Sequence, residues 1–544
     1  MRKYFWLIVI TVLGIALRYY HNTDISLWHD EAFSALMIRY PWGEMFYRLG
    51  LDVHPPMYYI FLRFWHNVFG DSLLSLRSFS IFFSTASIWA AYALVKEAFK
   101  NKQAALWAAL LIAINPFQLQ YVTEARMYTF GAFFALLAGY FLVKALNIQK
   151  EKHDRERLNM PHLPEDAKLS HRLWVSYLGF TLSMIIIIYT HYYLFFTAAA
   201  IGFYGLVYLF FHHRWDWKKY IPLLLCFIII VLSFLPWLKT FLFQYHQVQQ
   251  SYWIPPLNVW SIPSTFWDMM LGFARDTTKT TTQFLLAIVI VASVGIFYRL
   301  SKKTDAFHKW LVVLAVVAPF CGSLLFALLA RLKGSNSSVY LDRYFLFASV
   351  FFSIAMALWI KEISIRWLSA SVLVIYCILN ISAYAHYWND LNVTTKPGMA
   401  KATHDLSGEI MPQDKLFVGS SFMFLNFKYY WTKYTYPGPD GPYDQDTFYT
   451  FLNHVRPRLY TGGVSKASDI SHFAGSALLS DADLLPNFKD GAHAGDTVWV
   501  VWTNGFGASK PEVPTNWVQL DEKGYAEVRP YVGTWVIVTE YKVN

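Results

Sequence analysis

Two adjacent carboxylates, Asp30 and Glu31, follow Trp28-His29 shortly after an apolar run that ends near Tyr20. Acids beside a membrane surface are costly unless solvated, paired or used. A solvated loop or a helix cap accounts for the pair; so does chemistry. As chemistry, one carboxylate is a general base on an acceptor hydroxyl, and its neighbour's charge raises its pKa towards that task. His54 precedes Pro55-Pro56. Residues before proline avoid the α region and proline suits the first helical turn, so His54 stands at an extended-to-helix junction, as a substrate contact or as plain punctuation. In Tyr121-Val122-Thr123-Glu124-Ala125-Arg126-Met127-Tyr128, Glu124 and Tyr128 lie one helical turn apart and share a face. Arg126 reads as a phosphate-binding guanidinium or as an internal partner of Glu124. His191, in Thr190-His191-Tyr192-Tyr193, contacts substrate or caps a short turn. Asp342-Arg343-Tyr344 opens another apolar run. An arginine entering a membrane helix is a functional-site hypothesis by default, with snorkelling to lipid phosphate as its alternative.

The elements that must hold these residues are membrane helices. The 544 residues are 56% hydrophobic, 19% aromatic and 15% charged, well below the roughly 25% charge of soluble domains. Eleven apolar runs are long enough to span, near 4–20, 74–95, 104–119, 127–146, 173–190, 192–211, 219–238, 281–299, 310–330, 344–360 and 367–387. The first follows Met1-Arg2-Lys3 without a small-residue cleavage site and reads as an uncleaved span with a cytoplasmic N-terminus. With that orientation the cytoplasmic segments hold 21 Lys and Arg in 65 positions, against 12 in 137 outside, before the C-terminal domain. Every inside segment obeys the positive-inside rule. The net charge of +10 therefore reports topology, and nucleic acid is excluded as a partner. Cys226, Cys321 and Cys377 each lie in an apolar run, with no CxxC pair.

In this topology the five polar sites above all fall on the outer side, around one cavity. A carboxylate base with arginines suits transfer from a sugar phosphate: the base activates the acceptor and the arginines stabilise the departing phosphate. No phosphate-cradling glycine loop suggests a soluble nucleotide donor. The first outer segment, about 21–73, carries two short apolar stretches, 33–49 and 56–69, expected as interfacial helices. The charged segment 147–172 is expected to be a mobile cytoplasmic loop. Beyond about 388 the composition shifts. Lys415–Gly419 and Thr497–Trp502 read as strands, Phe422–Trp431 as a helix between them, and Pro437–Pro442 as a loop. The chain thus divides into a transmembrane domain, 1–390, and an extracytoplasmic α/β domain, 391–544.

The motif string resembles the membrane glycosyltransferases that use polyprenyl-phosphate sugars, including protein O-mannosyltransferases and the lipid A aminoarabinose transferase. The elements that carry it are Asp30-Glu31, His54-Pro55-Pro56, Leu76-Arg77, Glu124-Ala125-Arg126-Met127-Tyr128, Tyr189-Thr190-His191-Tyr192, Trp253-Ile254-Pro255 and Arg343-Tyr344, in that order over residues 1–390. The resemblance implies a GT-C fold with two surface helices in the first outer loop and a polyprenyl-phosphate sugar as donor. It implies Asp30 as base with Glu31 supporting it, donor-phosphate contacts from Arg343, Arg126 and Tyr344, and substrate contacts from His54, Glu124, Tyr128, His191 and Trp253. Some relatives bind a divalent metal, for which Glu31, Glu124, His54 and His191 are the candidates. It implies single displacement with inversion. The lack of cysteines in the outer segments and the short loops suit the cytoplasmic membrane of a prokaryote, and the expected acceptor is a protein, lipid or polysaccharide hydroxyl. The competing readings are an oligosaccharide ligase or polymerase using a lipid-diphosphate glycan, a lipid-linked sugar transporter, and a non-catalytic scaffold. A transporter places ionisable groups near the bilayer midplane, whereas these spans are largely free of charge.

Overall fold

A computed structural model describes residues 4–158, 164–214, 216–250, 254–272, 307–334, 338–435, 455–470, 476–505, 508–528 and 534–544, with residues 293, 295, 296 and 299. Its helices are α1 (Phe5–Tyr19), α2 (His29–Met37), α3 (Trp42–Leu51), α4 (Met57–Phe69), α5 (Leu73–Phe99), α6 (Lys102–Ile114), α7 (Pro116–Tyr121), α8 (Tyr128–Arg157), α9 (Pro164–Ile188), α10 (Leu194–His213), α11 (Ile221–Gln250), α12 (Ser261–Leu271), α13 (Lys309–Leu332), α14 (Leu346–Lys361), α15 (Arg366–Leu391), α16 (Gly398–Glu409) and α17 (Ser421–Thr435). Among the described residues, eight spans are long and apolar enough to cross a membrane: α5, α8 to α11, α13, α14 with its 3₁₀ entry at Asp342–Phe345, and the segment that begins with α15. α1 and α6 fill two more expected places but are shorter, at 15 and 13 residues. The expected span 281–299 lies almost wholly outside the described residues.

Three expectations change. The stretch 33–49 is two helices, so the first loop carries three, α2, α3 and α4. The split falls at Pro41, which has no N–H to continue α2 and starts α3 instead. The run 104–119 breaks into α6 and α7 at Asn115-Pro116. Asn115 adopts extended backbone before the proline, its side chain accepts from Gln118 N at 3.0 Å, and its amide donates to Met269 O at 2.8 Å. That break aims the following turn, 122–127, at the site. Finally, helix replaces much of the expected loop 147–172. α8 runs to Arg157, helped by the Glu151–Arg155 pair at 3.0 Å, an i,i+4 spacing.

α5 shows how an apolar helix positions polar loops. Arg77, Ser80, Ser84 and Ser87 recur at helical spacing and are all buried. Small hydroxyl residues allow close helix approach and donate across it. Ser84 Oγ accepts from Arg18 Nε of α1 at 2.9 Å. Ser80 Oγ donates to Glu124 O at 2.7 Å. Arg77, at the top of the stripe, reaches the loop before α2.

The described residues of the C-terminal part form a six-stranded sheet in the order β3-β2-β1-β4-β6-β5, built from β1 (Lys415–Val418), β2 (Pro457–Tyr460), β3 (Leu484–Leu485), β4 (Thr497–Thr503), β5 (Trp517–Glu527) and β6 (Thr534–Val543). β1 is parallel to β2 and β4, and β2 to β3, while β6 is antiparallel to β4 and β5. β4 is buried along nearly its whole length, as a strand covered on both faces should be. α17 follows β1 as expected and packs on α2. Tyr430 OH accepts from Leu27 N at 2.8 Å, Tyr429 OH donates to Asp71 O at 2.8 Å and Arg48 Nη1 donates to Ala477 O at 2.7 Å. At Gly398, φ is +59° and a Cβ would lie 2.7 Å from Ser26 Oγ and closer still to Glu527. Only glycine lets α16 start against the loop that carries Ser26.

Candidate active site

Four chain segments meet at one end of the bundle: the start of α2, the Pro-rich start of α4, the 122–127 turn, and the 3₁₀ turn before α14. The turn 189–193 closes the set, because Met57 N at the head of α4 donates to Tyr189 O at 2.9 Å.

Asp30 and Glu31 sit in the first turn of α2, where carboxylates favour the exposed amides. Successive helical residues point about 100° apart, and here that rotation separates them. Glu31 is fully buried, and Arg77 grips it bidentately, Nε to Oε1 and Nη2 to Oε2, both at 2.8 Å. Ala125 N adds a bond to Oε1 at 2.8 Å. The remaining Arg77 donors go to the carbonyls of Asn22, Ile25 and Ser26. Asp30 faces the other way and keeps 29% of its side chain exposed. Its Oδ2 accepts from Arg343 Nη1 at 3.2 Å, and the Arg343 guanidinium lies 5.2 Å from the Trp28 ring centroid.

Arg126 is buried beneath Asp30. Its Nη1 donates to Asp30 O at 3.1 Å and Ser34 Oγ at 3.2 Å, and lies 3.5 Å from Tyr59 OH. Its Nη2 donates to His54 Nε2 at 3.2 Å. Because His54 Nε2 accepts there, the neutral ring carries its proton on Nδ1 and donates it to Asp52 Oδ2 at 2.8 Å. Arg126 Nε and Trp28 Nε1 are buried donors without a partner among the described residues. His191 Nδ1 accepts from Tyr193 N at 3.1 Å. The His191 ring lies 5.7 Å from His54, 6.3 Å from Tyr128 and 4.7 Å from Tyr344. Tyr344 also packs on Tyr193 at 5.2 Å.

The electrostatics differ from the expectation for adjacent acids. Burial raises the Asp30 pKa, but Arg126 and Arg343 outweigh it and hold the carboxyl below its ordinary value. Glu31 is not among the main influences on it, its carboxylate being turned away onto Arg77. His191 is held neutral, its pKa pushed well down by burial and by the nearby His54 and arginines.

The structure brings Asp30, His54, Arg126, Tyr128, His191, Arg343 and Tyr344 together. Glu31 lies directly behind them, and Glu124 is buried in the adjoining turn. Trp253 lies outside the described residues. Of the metal candidates Glu31, Glu124, His54 and His191, two already have partners. Both Glu31 oxygens and both His54 nitrogens are committed, and among the described residues no three His, Cys, Asp or Glu side chains form a metal-holding group. Sequence reading assigned no role to Arg77, Asp52, Tyr59 or Trp28. An arginine inside an apolar span was the available signal for Arg77, and the Asp-x-His spacing was the signal for Asp52.

Residues 53–154 match the dolichyl-phosphate-mannose-protein mannosyltransferase family. No curated protein sequence matches the chain. Among solved structures, ArnT from Cupriavidus metallidurans in the apo state aligns at TM-score 0.54 and 12% identity, over 99% of this chain and 98% of that one. The same protein bound to undecaprenyl phosphate aligns at TM-score 0.51 and 12% identity, over 98% of each chain. The archaeal oligosaccharyltransferase AglB from Archaeoglobus fulgidus aligns more weakly, at TM-score 0.41 and 12% identity, over 92% of this chain and 69% of its own. The chain therefore has the GT-C fold of the polyprenyl-phosphate-sugar glycosyltransferases that its motifs resemble, and residues 53–154 carry the sequence signature of the mannosyltransferase family among them.

Proposed function

We propose that this chain is a glycosyltransferase moving a single sugar from a polyprenyl-phosphate carrier to an acceptor hydroxyl on the outer face of a prokaryotic cytoplasmic membrane. The observation that carries this reading is Asp30: a partly exposed carboxylate 3.2 Å from Arg343, on a backbone gripped by buried Arg126. The charge bias of the loops supports the outer face and an N-terminus inside.

The geometry suits one displacement. The donor phosphate competes with Asp30 for Arg343 and accepts from the unpartnered Arg126 Nε–H. Releasing Asp30 from Arg343 raises its basicity when the acceptor is in place. Asp30 then takes the hydroxyl proton, the acceptor oxygen bonds to the anomeric carbon, and the carbon–oxygen bond to phosphate breaks. The electron pair leaves with the polyprenyl phosphate, whose charge the two guanidiniums stabilise. A single in-line attack inverts the anomeric configuration. Glu31 is a positioning residue: paired with Arg77, it fixes the turn that aims Asp30. His54, relayed from Asp52, orients Arg126. Tyr344 joins the donor-phosphate set, Glu124, Tyr128 and His191 contact substrate, and Trp253 is a further substrate contact proposed from its place in the sequence alone. The transmembrane unit is 1–390, and the α/β domain, 391–544, braces α2 through α17.

The test is transfer by purified protein in nanodiscs, with a panel of radiolabelled polyprenyl-phosphate sugars and membrane extract as acceptor. This reading expects label in the acceptor, in the inverted configuration, with polyprenyl phosphate released. Label transferred only from a lipid-diphosphate glycan would favour the ligase, and donor moved across vesicles intact would favour the transporter.

A further inference from the structure

A second polar feature lies at the far end of the bundle. At about 1.5 Å per residue, α5 carries Lys100 roughly 35 Å from Arg77, slightly more than the ~30 Å hydrocarbon core. There the ends of α5, α8 and α9 enclose a cleft of about 470 Å³. Five of its lining side chains are cations, Lys100, Lys144, Lys150, Arg155 and Arg172, and three are anions. Two of the anions are already occupied. Glu97 accepts from Lys100 and from Asn147 Nδ2 at 2.7 and 2.8 Å, and Glu151 accepts from Arg155 at 3.0 Å. Among the described residues, Lys144, Lys150 and Arg172 have no carboxylate at ion-pair distance, and Asp154 is the remaining described anion of the lining.

The cleft has a fixed floor. Asn147, which holds Glu97, is itself held by His308 Nε2 at 2.9 Å. It also opens at the edge of an apolar surface: beside Arg172, Trp174 is 56% exposed, and Val175 and Leu178 on the same helix are exposed too. Orientation by positive charge requires only a number of cations near the spans. It does not require cations from three helices around one cavity with a hydrogen-bonded base. Basic pockets between membrane helices at this depth suit anionic lipid head groups.

We infer that this cleft binds the phosphodiester head group of an anionic phospholipid, with the acyl chains lying along the exposed face of α9. The site is independent of the one that contains Asp30. The test is native mass spectrometry of the full-length protein with added phosphatidylglycerol, phosphatidylcholine or inorganic phosphate. It compares the parent with Lys144→Glu/Lys150→Glu/Arg172→Glu and with the neutral Lys144→Gln/Lys150→Gln/Arg172→Gln. The expected result is phosphatidylglycerol adducts on the parent that survive delipidation and outnumber phosphatidylcholine adducts. Their affinity should fall at least tenfold in both variants, while sugar transfer is unchanged. If the reversed variant does not fold, the neutral variant and the parent's preference between the two lipids decide. Equal retention of the two lipids, undiminished phosphatidylglycerol binding in the neutral variant, or phosphate alone binding as tightly as the lipid would each overturn the proposal.

Discussion

Glu31→Gln removes one charge from a pair whose two side chains are both 0% exposed. The Arg77 guanidinium would keep its three loop carbonyls and one bond to the amide oxygen, but lose the second bond and be left a buried cation without its counter-ion. Breaking a buried pair from one side costs about 3–5 kcal/mol. Arg77→Met leaves the mirror problem: a buried carboxylate supported mainly by the amides of Ala125 and Trp28, at a similar cost. The double variant Glu31→Gln/Arg77→Met removes both charges together and should be less destabilised than the sum of the singles by about 2–3 kcal/mol, the coupling expected of directly bonded residues. Equilibrium unfolding in mixed micelles, followed by tryptophan fluorescence, gives the four corners of the cycle. Transfer activity should fall in both single variants although neither residue touches substrate, because the turn carrying Asp30 loosens. Single-variant costs under about 1 kcal/mol, or strictly additive costs, would refute a load shared between Glu31 and Arg77.

Arg343→Ala should lower kcat about 10²–10³-fold, the usual loss when one charge-stabilising donor is removed, and steady-state turnover of the donor measures it. The pH profile should split. In the free enzyme Asp30 titrates below its ordinary value, so it remains an ionised base as pH falls towards about 3.9, and the acid limb of kcat/KM lies below that point. Donor phosphate withdraws Arg343, so the acid limb of kcat should lie at higher pH; coincident limbs would contradict the exchange. Tyr430→Phe leaves the buried Leu27 amide without its acceptor. It should cost about 1–3 kcal/mol, read as a lowered unfolding midpoint of the full chain, and it should slow transfer without removing a catalytic group.

Much of the site was legible because its residues flank spans. Arg126, His191 and Arg343 each sit where an apolar run begins or ends, so the hydropathy pattern alone placed them at membrane boundaries, and the charge bias placed them on one side. The division of labour between Asp30 and Glu31 was not legible. It depends on which way α2 is rotated, and that is set by Arg77, 46 residues later, reaching Glu31. The depressed Asp30 pKa followed from the same rotation. The break at Asn115-Pro116 was visible in the proline, but the unbroken hydropathy hid it. The brace from α17 to α2 joins positions about 400 residues apart, and no local pattern encodes such a contact. The strands at 415 and 497, by contrast, were read correctly from runs of Val, Trp and Phe bounded by turn residues.

Asp30 is the proposed base of a transfer from polyprenyl-phosphate sugar. The most direct measurement compares single-turnover sugar transfer by the parent and by Asp30→Asn in nanodiscs, with both proteins shown to be folded and to bind donor. Loss of a positioned general base costs about 10²–10⁴-fold, so Asp30→Asn should transfer sugar slower by that factor at unchanged donor binding. Transfer by folded Asp30→Asn at the parent's rate would contradict that role.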